Sequence, residues 1–424
     1  MMGWLSSANL SLGRHGRALV GVGVVSAGGI IATVGFQVLT GRFLGPEAYG
    51  LLAAFMAIVS IGATGSAALQ NSVAVGSAAA RQRFALDPGI VQGRDHSLTE
   101  AFTLGGIGTA AVIVASPVLA DFLNTSALSI ILAGATILPA FLLSRALGII
   151  QGSGASQSVA GWTTGGQVLR LALAVIVIFL SLGAISMLLA IVISTVVITV
   201  GAAIHARAKR VRPLGRAFTP DTVVVLLLTV GFAWLTSIDV VLVRGGTSEI
   251  VSGSFAAAAM LTKTIFLIPG MLSVYLLPRF VSRRDDARAS LVGVLVTMAT
   301  IGLCGVLAFF AILAIGGPIV SLLFGDGYSL TATYLPWMAL AYLPWALAQG
   351  LLIRLSAAAS QPALVVLAAG IVAQWAGAAA VLPDVFALVA VIGGIGCVIF
   401  IALAIINFCF LKPRPSLKDT HEVA

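Results

Sequence analysis

Four basic side chains of this 424-residue sequence, Arg145, Arg170, Lys263 and Arg354, fall inside otherwise apolar runs, as does one carboxylate, Asp239. A charge held at the centre of a hydrocarbon layer costs about 2.5–3.5 kcal/mol on insertion scales, so each such group needs a partner, a route to water or a ligand. Arg145 and Arg354 stand within about two turns of run ends, where a long side chain reaches the interface. Arg170 is about fifteen residues into its run, roughly 22 Å along a helix, and has no such route. It serves either as a structural donor to backbone and hydroxyl groups or as an anion site. Asp239 and Lys263 lie on successive runs of opposite direction. They can form a fixed ion pair, which relieves the burial of both, or Lys263 can bind an anion while Asp239 is otherwise engaged. Arg42 and Arg244, each at the end of an apolar run, complete the candidate anion ligands with Arg170 and Lys263.

Bond-making chemistry has little support. No Asp-x-Asp, His-Glu-x-x-His, Gly-x-Ser-x-Gly or phosphate-loop string occurs. Membrane glycosyltransferases and polymerases need carboxylates for metal or base chemistry, often on a large outer loop, and the outer loops here are short. Cys304, Cys397 and Cys409 lie in apolar runs and read as small buried hydrophobes. A non-enzyme is expected, with no catalytic residue, metal or cofactor.

The elements that carry these charges are apolar helices. Hydrophobic residues make up 59% of the chain and charged residues 9%, against roughly 25% charged in a soluble domain. Mean hydropathy is +1.12. This is an all-α, polytopic membrane protein. Apolar runs cover about 17–40, 50–80, 99–119, 127–151, 156–182 and 184–205, then 222–243, 251–278, 289–314, 330–354, 362–382 and 385–411. Each can span about 30 Å of hydrocarbon. With loops numbered alternately from the inside, seventeen of the 23 basic residues fall inside, whereas the outside loops hold only Arg42 and Arg244. That division supports twelve spans with both termini cytoplasmic. The net charge of +9 is thus explained by an anionic inner leaflet, with membrane lipids and not nucleic acid as partners.

The halves echo each other. Arg42 and Gly50 recur as Arg244 and Gly253, at offsets of 202 and 203; Ala155-Ser156-Gln157 recurs as Ala359-Ser360-Gln361, at 204. Six spans per repeat give halves of like orientation, related about the membrane normal with a cavity between them. The expected organisation is an N-terminal six-helix lobe over 1–205, a basic cytoplasmic linker over 206–220, a C-terminal six-helix lobe over 221–411 and a cytoplasmic tail over 412–424. Pro269, Pro278, Pro336 and Pro344 are expected to kink or end their helices, and Trp162, Trp234, Trp337, Trp345 and Trp375 to serve as packing or interface anchors.

Between the first two runs stands GRFLGPEAYG, residues 41–50, read as a helix–helix turn in which Gly45-Pro46 stops one helix and starts the next. With the stretches at 237–280 and 322–360 it resembles the polysaccharide-exporter (Wzx-like) branch of the flippase superfamily that also holds the multidrug MATE transporters. The second stretch carries an intramembrane Asp239, a Gly-small-aromatic helix start, a mid-helix Lys263 and a terminal Pro278-Arg279. The resemblance implies a MATE-like fold of two six-helix lobes. It also implies alternating-access movement of a polyprenyl-(di)phosphate-linked sugar from the inner to the outer leaflet of the bacterial cytoplasmic membrane. Glycosyltransferases or a polymerase of the same pathway would be its partners. The first span lacks the internal arginine of the lipid II branch, and two further helices of that branch are missing, which disfavours peptidoglycan precursor as cargo. In some relatives a span-seven carboxylate binds a coupling cation, so Asp239 is also a candidate for that role, although span eleven offers only Gln374 beside it. The rival reading within the superfamily is a cation-coupled drug or metabolite antiporter, which should present carboxylates to a cationic cargo.

Overall fold

A computed structural model describes residues 2–86, 95–209, 213, 220–266 and 287–410. Among them there are helices and turns and no strand. Helices α1 (Met2–Leu86), α2 (Ser97–Val114), α3 (Ser116–Phe122), α4 (Ala127–Gly152), α5 (Ser156–Phe179) and α6 (Ala184–Ala208) are followed by α7 (Pro220–Gly246), α8 (Glu249–Thr262), α9 (Ala287–Phe324), α10 (Ser329–Ala357), α11 (Gln361–Val381) and α12 (Val385–Ile405). A 3-10 turn, Lys263–Phe266, continues α8. The described residues hold ten helices long and apolar enough to cross a membrane. The first of these contains two of the sequence runs, and α8 begins another, so the all-α polytopic architecture expected from the sequence stands.

The turn expected at 41–50 is confined to one residue: within α1 one helical segment ends and the next begins at Gly45 (φ 73, ψ 171), as the Gly-Pro pair implied. That backbone conformation is open to glycine at little cost, and Pro46 then supplies the first residue of the new segment, where a missing N–H does no harm. The run at 99–119 is also interrupted. The chain turns at Ala115 between α2 and α3, with Pro117 in the first turn of α3. By contrast, α10 continues through both Pro336 and Pro344, and neither ends it. Pro269 and Pro278 lie outside the described residues, as do most of the basic linker and the tail beyond 410.

The chain forms two compact units. One comprises Met1–Leu44 with Gly62–Thr219, the other Gly45–Ile61 with Pro220–Ala424. In the first, α4 packs against α2, α3, α5 and α6. Its core joins Leu69 and Val73 of α1 to Ile137, Phe141, Ile149 and Ile150 of α4 and Ala202 of α6. Gly148 and Gly152 bring the α4 backbone against α1: a Cβ at Gly148 would stand 2.6 Å from the Gln70 carbonyl oxygen. Without a hydrophobic gradient between helices in lipid, such small-residue contacts provide much of the packing. Trp162 of α5 lies over Gly201 of α6 and donates from its indole N–H to Nδ1 of His205, at 2.9 Å.

In the second unit α10 is the hub, touching α7, α8, α9 and α12, while α11 packs on α7 and α12. Side-chain caps fix two helix starts. Ser248 accepts from the Val251 amide at the head of α8, and Asp384 from the Phe386 and Ala387 amides at the head of α12. The Gly45–Ile61 segment belongs to this unit through a backbone-close crossing on α8. A Cβ at Gly253 would collide with the carbonyl of Pro46, and one at Gly50 with the hydroxyl of Ser252. Tyr49 is buried beside Phe324 and Tyr328, with ring centroids 6.0 and 6.3 Å away. The cysteines differ from expectation. Cys304 is half-buried and Cys397 is exposed, because its position on α12 faces outward; the Cys409 side chain lies outside the described set.

Candidate functional site

Arg170 sits on α5 within the first unit, and its guanidinium carbon lies 5.8 Å from the centroid of Phe36 on α1. Its Nε is buried with no hydrogen-bond partner, and so is Oε1 of Gln167, one turn earlier on the same helix. No carboxylate among the described residues forms an ion pair with it. The aromatic face offers part of the compensation, in the range of about 0.5–2 kcal/mol, and leaves a fixed positive charge with donor capacity to spare.

The second unit holds a different arrangement. The Lys263 ammonium contacts Oδ1 of Asp239 at 2.8 Å, and the Tyr342 hydroxyl donates to Oδ2 of the same carboxylate. Lys263 also stands over the Tyr342 ring, 5.2 Å from its centroid. Asp239 is 1% exposed and Lys263 20%. Three helices build this cluster. Asp239 is on α7, Tyr342 on α10, and Lys263 sits where α8 tightens into its 3-10 turn. Sequence reasoning paired Asp239 with Lys263 but missed Tyr342, which lies in a separate apolar run and is marked by no local motif.

The remaining candidates fall elsewhere. Gln374 of α11 is fully buried, but its amide donates to the Leu235 carbonyl at 3.0 Å, and its own Oε1 has no partner. Arg244, in the last turn of α7, is 4% exposed. It donates to Glu249 Oε1 at 2.6 Å and to the Glu47 carbonyl at 3.2 Å. These bonds tie α7, α8 and the Gly45–Ile61 segment together. Arg42 is exposed. Arg145 donates to Asp95 at 2.6 Å and to Ser97 at 2.9 Å, just ahead of and at the start of α2. Arg354 donates to the backbone and side-chain oxygens of Asn407, each at 3.2 Å. Burial opposes the Asp95 charge, but the hydrogen bonds from Ser97 and Arg145 and the Arg145 charge outweigh it and hold the carboxyl below its ordinary range. Among the described residues no group of His, Cys, Asp and Glu is arranged to hold a metal.

This architecture is that of the MATE-like membrane transporters. Three solved structures carry the likeness. A multidrug resistance MATE family transporter of the MOP superfamily, in an inward-facing conformation, matches with TM-score 0.69 and 17% identity over 89% of this chain and 92% of that one. The lipid II flippase MurJ, in an inward closed conformation, matches with TM-score 0.61 and 12% identity over 90% and 86%. A MOP superfamily transporter from Pyrococcus furiosus, described as having a binding pocket of reversed polarity, matches with TM-score 0.60 and 16% identity over 92% and 94%. At these identities the likeness is one of fold. No protein-family model and no curated protein matches the chain.

Proposed function

We propose that this chain is a flippase that carries a polyprenyl-(di)phosphate-linked sugar from the inner to the outer leaflet of the bacterial cytoplasmic membrane by alternating access. The observation that carries this reading is Arg170, a cation inside a membrane helix that rests on Phe36 and has no carboxylate partner among the described residues. An unpaired intramembrane charge is expensive and marks a ligand or ion path. A positive seat selects a negative head group. Outward movement of an anion across an inside-negative membrane gains about 2.3 kcal/mol per charge per 100 mV, so the potential alone can drive export.

Antiport of a cationic drug or metabolite has the likeness to a multidrug transporter in its favour. It is the weaker reading because Asp239, the carboxylate such a cargo would need, already has both oxygens engaged. The test is complementation of a deletion strain. Arg170→Ala should leave lipid-linked sugar inside and lower export at least tenfold at unchanged protein level, with Arg170→Lys retaining part of it. Full export by Arg170→Ala rejects the anion seat. Loss of drug resistance with unchanged envelope glycan favours antiport.

A further inference from the structure

We infer that Gln167 and Arg170 together read a phosphate ester that carries a hydrogen-bond donor on the carbon beside the ester carbon, as the C2 hydroxyl or acetamido N–H of a glycosyl phosphate does. The inference rests on the proposed anion seat at Arg170 and adds to it a residue that selects among anions. It starts from a seam between α1 and α5 within the first unit. Measured from where a Cβ would stand, Gly21, Gly28 and Gly35 of α1 face Gln157, Thr164 and Leu171 of α5 at 3.2, 3.9 and 3.6 Å. The three pairs share one separation of 136 positions, and the glycines recur every seven residues. The two helices therefore run parallel in a coiled-coil-like register. Thr164 donates across it to the Val25 carbonyl at 2.9 Å. Gln167 follows Thr164 by three residues and precedes Leu171 by four, so it shares their face of α5 and lies on this seam. Arg170 reaches Phe36 on the same side.

One donor and one acceptor are left over here: Arg170 Nε and Gln167 Oε1 are buried and unbonded. The α1 residues opposite, Gly28, Gly29, Gly35 and Phe36, carry no side-chain donor for that acceptor, and the Thr164 hydroxyl is already committed. A phosphodiester without a neighbouring donor satisfies only the arginine, because its oxygens are acceptors alone. A ligand with a donor next to its phosphate satisfies both atoms. An analogue without that donor leaves a buried acceptor unmet, and such sites reject it.

The experiment is equilibrium binding of radiolabelled dodecyl glucosyl phosphate to purified full-length protein in phosphatidylcholine nanodiscs. Its 2-deoxy-2-fluoro analogue, which keeps the charge and has no donor at C2, is measured beside it. Wild type should bind the glucosyl probe about fivefold or more tighter than the fluoro analogue, and Gln167→Met should bring that ratio to about 1. Arg170→Ala should lose both probes. Phosphatidylglycerol, whose glycerol carries the same donor, is the arm for a lipid source, and it should compete more weakly than unlabelled dodecyl glucosyl phosphate at equal concentration. Equal binding of the two probes by wild type overturns the inference, leaves the anion seat standing, and requires no variant to fold. Gln167→Met that weakens both probes alike also overturns it, since Gln167 would then only position the guanidinium. Binding of neither probe by wild type overturns the anion seat and this inference with it. Stronger competition by phosphatidylglycerol assigns the seat to a resident lipid and overturns the glycosyl assignment.

Discussion

Replacing Gly253 by alanine tests the closest helix crossing in the second unit. The added methyl would fall within 3 Å of the oxygen, carbonyl carbon and Cα of Pro46, against 3.4 Å or more for ordinary contact. All three are backbone atoms, so no rotamer change relieves the clash. The Gly45–Ile61 segment would have to retreat from α8 by roughly 1 Å, and a gap of 0.5–1 Å forfeits a quarter to a half of the dispersion energy of each pair affected. Tyr49, Leu52 and Phe55 of that segment are each at most 2% exposed, so the segment cannot move without disturbing buried side chains. Overpacking of this kind costs about 1–3 kcal/mol, and rigid backbone on both sides places Gly253→Ala at about 3 kcal/mol. Gly394→Ala is the matched control on α12, where an added Cβ meets nothing within 4 Å. Thermal unfolding of the detergent-purified variants compares them directly. Gly394→Ala should melt at or slightly above the wild-type temperature, since alanine is the better helix former. A Gly253→Ala protein that melts within about 1 °C of wild type would refute the crossing as described.

Two further substitutions probe the polar groups. Asp95→Asn removes the ion pair with Arg145, whose partners are 18% and 20% exposed, at an expected loss of about 1–2 kcal/mol near neutral pH. The folded-state pKa of Asp95 is lowered, so the pair's contribution is complete above the unfolded value of about 3.9 and disappears as pH falls through the folded value. Melting curves of wild type and Asp95→Asn should therefore stay apart above about pH 5 and converge below about pH 4. Gln374→Leu exchanges one bond to Leu235 for removal of an orphaned oxygen, and stability should change by less than about 1 kcal/mol. If it abolished transport in a folded protein, Gln374 would be a ligand-contacting residue after all.

Much of the fold was written in hydropathy. Runs of about twenty apolar residues mark helices whatever their neighbours do, because lipid leaves backbone groups no other partners. The isolated interior charges were equally legible, and the opposite direction of successive spans correctly joined Asp239 to Lys263. The sequence was less informative wherever a long-range contact decides the outcome. Tyr342 lies 103 residues from the carboxylate it bonds. Arg145 looked able to reach the interface alone, and instead binds Asp95, fifty residues earlier. Arg244 suggested an anion ligand, and its buried guanidinium is bonded to Glu249 and to backbone. The break at Gly45 was readable from Gly-Pro; what the sequence left open was its length, a single residue of positive φ, since Pro46 can begin a helical segment with no spacer.

The Asp239–Lys263 pair also constrains how the chain is made. The two residues are 24 positions apart, so at roughly 5–20 residues per second the ribosome exposes the acid one to several seconds before its base. During that interval α7 presents an uncompensated carboxylate to the translocon. The favourable unit of insertion is therefore the α7–α8 hairpin with its pair already closed, and translational pausing between the two helices would prolong the time for which the acid waits alone.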